Sequence, residues 1–242
     1  MNNRQYPSLL NPHDVFFPPS DWALDDPNGL LAIGGDLSSD RIIAAYSQGI
    51  FPWFSDGEPI MWWTPDPRSV IFTASYSPSK SLKKLIKKNI FSIRFDSSFE
   101  KVIRQCALSP RQHQDGTWIT EEMIEAYCYL HKLGIAHSCE CWKGDQLVGG
   151  LYGLAIGQIF FGESMFSQLS NSSKVAFTYL IEALNGWGFQ LVDCQVESAH
   201  MNSLGAVNIK REKFLELLKN YSGDVSPDAW APTSSELKKI AD

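Results

Sequence analysis

Apolar positions along the chain fall into two regimes that divide near residue 74. Upstream there is little periodicity apart from one helical stretch over residues 40–48, with Ser39 placed to cap its start and Gly49 to end it. The flanking segments, LLAIGGDLS and GIFPWFSDGEPIMWWTPDPRSVIF, are broken by Gly, Pro and Asp and read as loops and short strands. Downstream the pattern is regular. Residues 79–88 read as a short helix with Leu82, Leu85 and Ile86 on one side and Lys80, Lys83, Lys84, Lys87 and Lys88 on the other. FSIRF (91–95) reads as a strand, and 98–106 as a helix burying Phe99, Val102, Ile103 and Cys106. Thr120 caps a longer helix that ends at Gly134.

Three extended runs follow, AHSCECW, QLVGGLYGLAI and IFFGES, joined at Gly144-Asp145 and Gly157-Gln158, which predicts an antiparallel meander. After it come a helix over 172–187, stopped by Gly188, a strand over 189–196 and a helix over 210–221. The predicted fold class is α+β: a small N-terminal domain over 1–73, then a larger domain over 74–242 with a central, mostly antiparallel sheet. Helices, meander, helix, strand and helix is the element order of a GNAT-like acyltransferase.

In such folds the acyl donor's pyrophosphate rests on a glycine-rich turn at a helix start. Here that junction, ESMFSQLSNSSK (163–174), has no glycine, which argues against coenzyme A as donor, and no cofactor is expected.

Composition narrows the class further. At 242 residues the chain holds one to two domains of roughly 150 residues each. With 44% apolar and 20% charged residues it has the make-up of a folded globular protein. The net charge of −6 argues against coating nucleic acid or an anionic membrane with the whole surface, but permits a local basic face. Five cysteines with no Cys-x-x-Cys pair fit neither a disulfide framework nor a zinc ribbon, and five histidines lack ligand spacing, so no metal is expected. The longest uncharged stretch, 147–162, is too short to cross a bilayer and carries five glycines, and the first twenty residues contain no apolar signal-peptide run. A cytoplasmic location is expected.

Several residues could carry chemistry. Strand alternation puts Asp193 and Gln195 on one face of LVDCQV and Cys194 on the other. An acid beside an amide can deprotonate an attacking amine or brace an oxyanion; the structural alternative is that Asp193 caps a loop or pairs with a lysine. Cys194 with His200 or His137 is a rival nucleophile and base, although a cysteine in an apolar strand is more often a core residue. Glu163 sits in a mostly uncharged neighbourhood and needs a cation, either Lys174 or part of a substrate. Trp53, Trp62, Trp63, Phe51 and Phe54 crowd into thirteen residues, as a small core or a ligand-facing wall. The five lysines of 80–88 form a solvated helix face or a contact for an RNA backbone.

Taken together, these stretches resemble the leucyl/phenylalanyl-tRNA–protein transferase family. The resemblance is carried by NGLLAIGGDLS, GIFPWFSDGEPIMWWTPDPR, DGTWIT, AHSCECW with LVGGLYG, FGESMFS, and DCQV followed by SLGA, in order along nearly the whole chain. It implies a GNAT-like C-terminal domain that moves leucine or phenylalanine, and less readily methionine, from aminoacyl-tRNA to the α-amine of proteins beginning with Arg or Lys, marking them for N-end-rule degradation. It also implies that Asp193 and Gln195 form the catalytic pair, that Glu163 supplies a substrate-binding carboxylate, and that Trp53 and Trp118 lie against the terminal adenosine. Phe160, Met165, Phe177, Leu180 and Leu151 would line the pocket for the transferred side chain, Leu151 standing where some members have methionine. The lysine face would contact the acceptor stem. Alternation puts Phe160 and Glu163 on opposite strand faces, so a bulge or strand end is expected between them if both touch substrate.

Overall fold

The computed structural model describes residues 5–109, 118–223 and 230–232. In the first part of the chain, β1 (Ser8–Leu10), β2 (Leu30–Gly34), α1 (Ser39–Tyr46), β3 (Phe51–Pro52) and β4 (Met61–Trp63) follow in order. The four strands make a small sheet in the order β1-β2-β4-β3. The helix begins one residue earlier than its spacing predicts, so Ser39 is its first residue and Ser38 precedes it. Its inward face buries Ile42, Ala45 and Tyr46. The turn that follows it closes at Gly49, whose φ of +74° turns the chain where a Cβ would sit 2.9 Å from Leu215 and 3.0 Å from Phe214.

The second sheet has seven strands among the described residues. In chain order they are β5 (Arg68–Phe72), β6 (Ser92–Phe95), β7 (Ala136–Lys143), β8 (Gln146–Ile156), β9 (Ile159–Ser167), β10 (Leu191–Gln195) and β11 (Val207–Ile209). They lie in the order β11-β5-β10-β9-β8-β7-β6. Among the described residues six α-helices accompany them: α2 (Lys80–Lys87), α3 (Phe99–Leu108), α4 (Glu121–Lys132), α5 (Ser172–Gly186), α6 (Ala199–Ser203) and α7 (Arg211–Asn220). The meander β7-β8-β9 is antiparallel as expected, and β10 then lies parallel to β9 and antiparallel to β5. Residue 73 therefore falls after β5, a strand whose partners, β10 and β11, both belong to the large sheet.

Both faces of this sheet are covered, and the strand period sorts the side chains between them. Tyr152, Phe161 and Leu191 join the core built with α1, α3 and α4. Their neighbours Leu151, Phe160 and Val192 join the core under α5. Of the two caps read from the sequence, Thr120 holds, its hydroxyl accepting from the Met123 N–H at 3.3 Å, whereas Ser39 lies inside α1, which has no side-chain cap bond. Ser79, read as helical, instead caps α2 by accepting from the Leu82 N–H at 3.3 Å. Leu82 and Ile86 anchor α2 against the α5 side while its four lysines, and Lys88 just after it, stay exposed.

Two breaks in regularity position the site. The β8–β9 register runs Gly153 to Gly162 but Tyr152 to Ser164, so Glu163 is the extra residue of a bulge. On β10 the register with β5 slips between Asp193 and Gln195, and Gln195 adopts a φ of +57°. The parallel pairing of β9 with β10 reaches only Phe161 and Asp193. Beyond that point the two strands part.

Candidate active site

The gap between the parting strands is a cavity of about 850 Å³. Glu163 to Ser167 line one wall, Cys194 to Val196 with Ser198, His200 and Met201 the other, and Phe51, Pro52, Trp53 and Trp118 close it from the sides.

Its acid is Glu163. The Tyr46 hydroxyl of α1 donates to one carboxylate oxygen at 2.7 Å, and the Tyr127 hydroxyl of α4 donates to the other at 3.1 Å. The two phenols also touch each other at 2.7 Å, and the Gln195 side-chain NH₂ reaches Glu163 Oε1 at 3.3 Å. Burial raises the Glu163 carboxyl from its ordinary 4.5 to about 7; the two tyrosine hydrogen bonds and Arg68 offset part of that push, and the Asp193 charge adds to it. Burial, followed by the Glu163 charge, drives both phenols well above their usual range, so they stay donors at neutral pH.

Behind this acid lies a buried ion pair. Arg68 at the start of β5 donates from Nε to Asp193 Oδ1 at 2.8 Å and from Nη2 to Oδ2 at 2.6 Å. Its remaining Nη1 donates to the Gly49 carbonyl at 3.0 Å. The guanidinium carbon lies 4.8 Å from the centre of the Phe51 ring and 4.6 Å from that of Phe214, so the cation is satisfied on every side. Asp193 Oδ1 also accepts the backbone N–H of Gln195 at 3.0 Å.

This geometry departs from the side-by-side pair that strand alternation predicts. Asp193 is fully buried and holds the backbone of Gln195, while the Gln195 side chain turns to Glu163. The bulge at Cys194 breaks the period on which the alternation rests. Arg68, and not a lysine, is the partner of Asp193. Glu163 bonds two tyrosines and an amide, and Lys174 has no part in the set.

Of the other expected residues, Trp53, Trp118 and Met165 line the cavity. Leu151, Phe160, Phe177 and Leu180 do not: each is at most 2% exposed, in the core between the sheet and α5, to which Phe177 and Leu180 themselves belong. Met165 packs on that core and forms the boundary between it and the cavity. Phe160 and Glu163 do lie on opposite faces, and the Glu163 bulge instead brings Met165 onto the side of Phe160.

Cys194 is buried at the cavity wall, and burial with the adjacent Asp193 charge pushes its thiol well above the ordinary range. Neither candidate base pairs with it: His137 Nδ1 faces Asp96 at 2.7 Å, and His200 Nε2 faces the Met165 sulfur at 3.1 Å. Arg68, Tyr46 and Tyr127 are not legible from the sequence as site residues. The one hint is a cation opening the strand-like run RSVIF, which is uncharged beyond it.

The fold and site thus define an α+β protein whose carboxylate–amide centre sits where two parallel strands separate and is completed by a tyrosine from the smaller part. The chain matches the model of the leucyl/phenylalanyl-tRNA protein transferase family over residues 70–219, and that of the family's N-terminal domain over 35–66. It is 52% identical over 213 residues to the leucyl/phenylalanyl-tRNA–protein transferase of Cellvibrio japonicus (strain Ueda107), covering 88% of this chain and 90% of that protein. It is 56% identical over 206 residues to the same-named protein of Nitrosospira multiformis (strain ATCC 25196 / NCIMB 11849 / C 71), covering 85% and 88%. The chain belongs to the leucyl/phenylalanyl-tRNA–protein transferase family. Among solved structures, L-PGS from Bacillus licheniformis aligns at a TM-score of 0.41 and 9% identity over 81% of this chain and 73% of that one, a likeness too remote to bear on the fold. Among the described residues no helix is long and apolar enough to cross a membrane.

Proposed function

We propose that this chain transfers leucine or phenylalanine, and less readily methionine, from aminoacyl-tRNA to the α-amine of proteins beginning with Arg or Lys. Modification of this kind would mark the acceptor for degradation by the N-end rule in the cytoplasm. We assign the large sheet and its helices to a GNAT-like domain, and we put the boundary with the small domain between β4 and β5, where the sheets themselves divide.

The observation that carries this reading is a carboxyl in the cavity, held by two tyrosine hydroxyls and in contact with the Gln195 amide; burial raises it to about 7. In the transfer, the acceptor nitrogen bonds to the ester carbonyl carbon, the bond from that carbon to the ribose oxygen breaks, and one proton passes from nitrogen to the ribose oxygen. A protein α-amine titrates near ~8, so a carboxylate poised one unit lower is a sufficient proton acceptor. Gln195 commits its NH₂ to Glu163, and its amide oxygen is the group that accepts an N–H of the incoming amine.

Asp193 serves as a positioning residue, since its oxygens are taken by Arg68 and the Gln195 N–H. Trp53 and Trp118 offer faces for the terminal adenine, and the apolar layer behind Met165 reads the transferred side chain. The lysine face of α2 takes the acceptor stem. Holding two large substrates together supplies roughly 7 to 11 kcal/mol towards the barrier, and no covalent acyl-enzyme is required.

The test mixes the purified protein with leucyl- or phenylalanyl-tRNA and an Arg-initiated peptide, then looks by mass spectrometry for one added residue. A matched peptide with an acetylated N-terminus should gain nothing. Absence of any addition to the free peptide would overturn the assignment.

A further inference from the structure

A cavity lined by five consecutive strand residues has an unusual geometry. Side chains alternate across a sheet, so a pocket on one face touches every second residue. Contact with Glu163, Ser164, Met165, Phe166 and Ser167 in succession means the cavity runs along the edge of β9, where backbone groups point.

The pairing with β8 fixes which groups those are. The Gln168 N–H donates to the Val148 carbonyl at 2.8 Å, in the same ladder that aligns Phe166 with Gly150 and Ser164 with Tyr152. In an antiparallel ladder alternate residues bond across, so Ser164 and Phe166 aim their N–H and C=O at β8. Met165 and Ser167 aim theirs the other way, into the cleft that β10 leaves after Asp193. Among the described residues no turn, loop or side-chain hydrogen bond reaches the backbone groups of Met165 or Ser167. Two spaced residues of unpaired strand edge therefore open onto the acid and amide.

We infer that this edge docks the acceptor polypeptide as an added strand, running parallel to β9 in the lane β10 vacates, with its free amine at Glu163 and Gln195. The inference rests on the transfer reading and names where its second substrate lies. The donor's aminoacyl group is a single residue and cannot satisfy two edge residues, whereas an extended peptide can. Strand addition also reads backbone alone, which suits an enzyme that takes many proteins provided their first residue fits.

Parallel pairing sets the register. With the first peptide residue beside Ser164, the third lies opposite Phe166, its N–H donating to the Met165 carbonyl and its C=O accepting from the Ser167 N–H. The N–H groups of the second and fourth residues point away from β9.

The test measures kcat/KM for Arg-initiated peptides carrying one backbone N-methyl group at residue 2, 3 or 4, with the intact protein and a fixed charged tRNA. Methylation at residue 3 should lower kcat/KM by about tenfold or more, while residues 2 and 4 stay within about threefold of the unmodified peptide. A peptide with an ester in place of the amide N–H at residue 3 should lose activity as well, which separates the missing hydrogen bond from the bulk of the methyl. Equal response at all three positions, or tolerance at residue 3, overturns strand addition while leaving transfer to the unmodified peptide intact. No transfer to the unmodified peptide overturns both readings together.

Discussion

Arg68 holds both carboxylate oxygens of Asp193, at 2.8 and 2.6 Å, with neither residue exposed to solvent. The pair ties β5 to β10 at the position where β10 leaves its parallel partner. Its acid thereby anchors the Gln195 backbone.

Breaking that pair should cost more than removing it. Arg68→Met strands a buried carboxylate and should destabilise the fold by about 3 to 5 kcal/mol, read as a drop in the urea midpoint. The double variant Arg68→Met with Asp193→Leu should recover part of that loss, a non-additivity expected of residues sharing one interaction. Additive losses would mean that the two side chains do not act as a unit.

Glu163 gives a pH signature in both activity and stability. The proposed mechanism uses the ionised form as proton acceptor, so kcat/KM should rise through about pH 7, where burial places the carboxyl. Tyr127→Phe removes a hydrogen bond that favours the charged form, so the acid limb should move to higher pH. The folded carboxyl ionises later than the unfolded one, so its contribution is complete below its ordinary 4.5 and is lost as the pH rises through about 7. Glu163→Gln should then abolish most turnover yet stabilise the protein above pH 7 by about 1 to 2 kcal/mol, with little gain near pH 4. Thermal unfolding at the two pH values checks it.

Gln195 combines an amide with a left-handed backbone at φ +57°. Substitution by Gly relieves the backbone and removes the amide, so the variant should fold at least as well while kcat falls by roughly a hundredfold. The KM for charged tRNA should hold within about twofold, since the amide acts on the reacting amine and not on the RNA. Full turnover in Gln195→Gly would take the amide out of the chemistry.

The lysine face of α2 is exposed along its length, and Lys83, Lys84 and Lys87 offer a direct test. Reversing all three to Glu should raise the KM for charged tRNA, and the slope of its logarithm against log salt should shrink by about one for each phosphate no longer neutralised. An unmoved KM would make the face ordinary solvated surface.

Local order is legible from the chain and long-range pairing is not. Thr120 announces α4 because a cap joins residues three apart. The meander is legible from alternation and its two glycine turns. Arg68 meets Asp193 across 125 positions and Tyr46 meets Glu163 across 117, and at core positions a tyrosine looks like any other buried ring. Alternation misplaces the Asp193–Gln195 pair because period-two reasoning assumes an unbroken ladder, and the slip at Cys194 breaks it. Leu151, Phe160, Phe177 and Leu180 fall in the core between the sheet and α5 for a related reason: apolar residues on an inner strand or helix face read the same whether they line a pocket or fill a core.

Tyr46 belongs to a helix beside the small sheet, yet its hydroxyl completes the Glu163 centre. Neither half of the polypeptide carries a finished reaction centre by itself. Severing the chain between β4 and β5 should silence both pieces, and activity should return only when they are recombined.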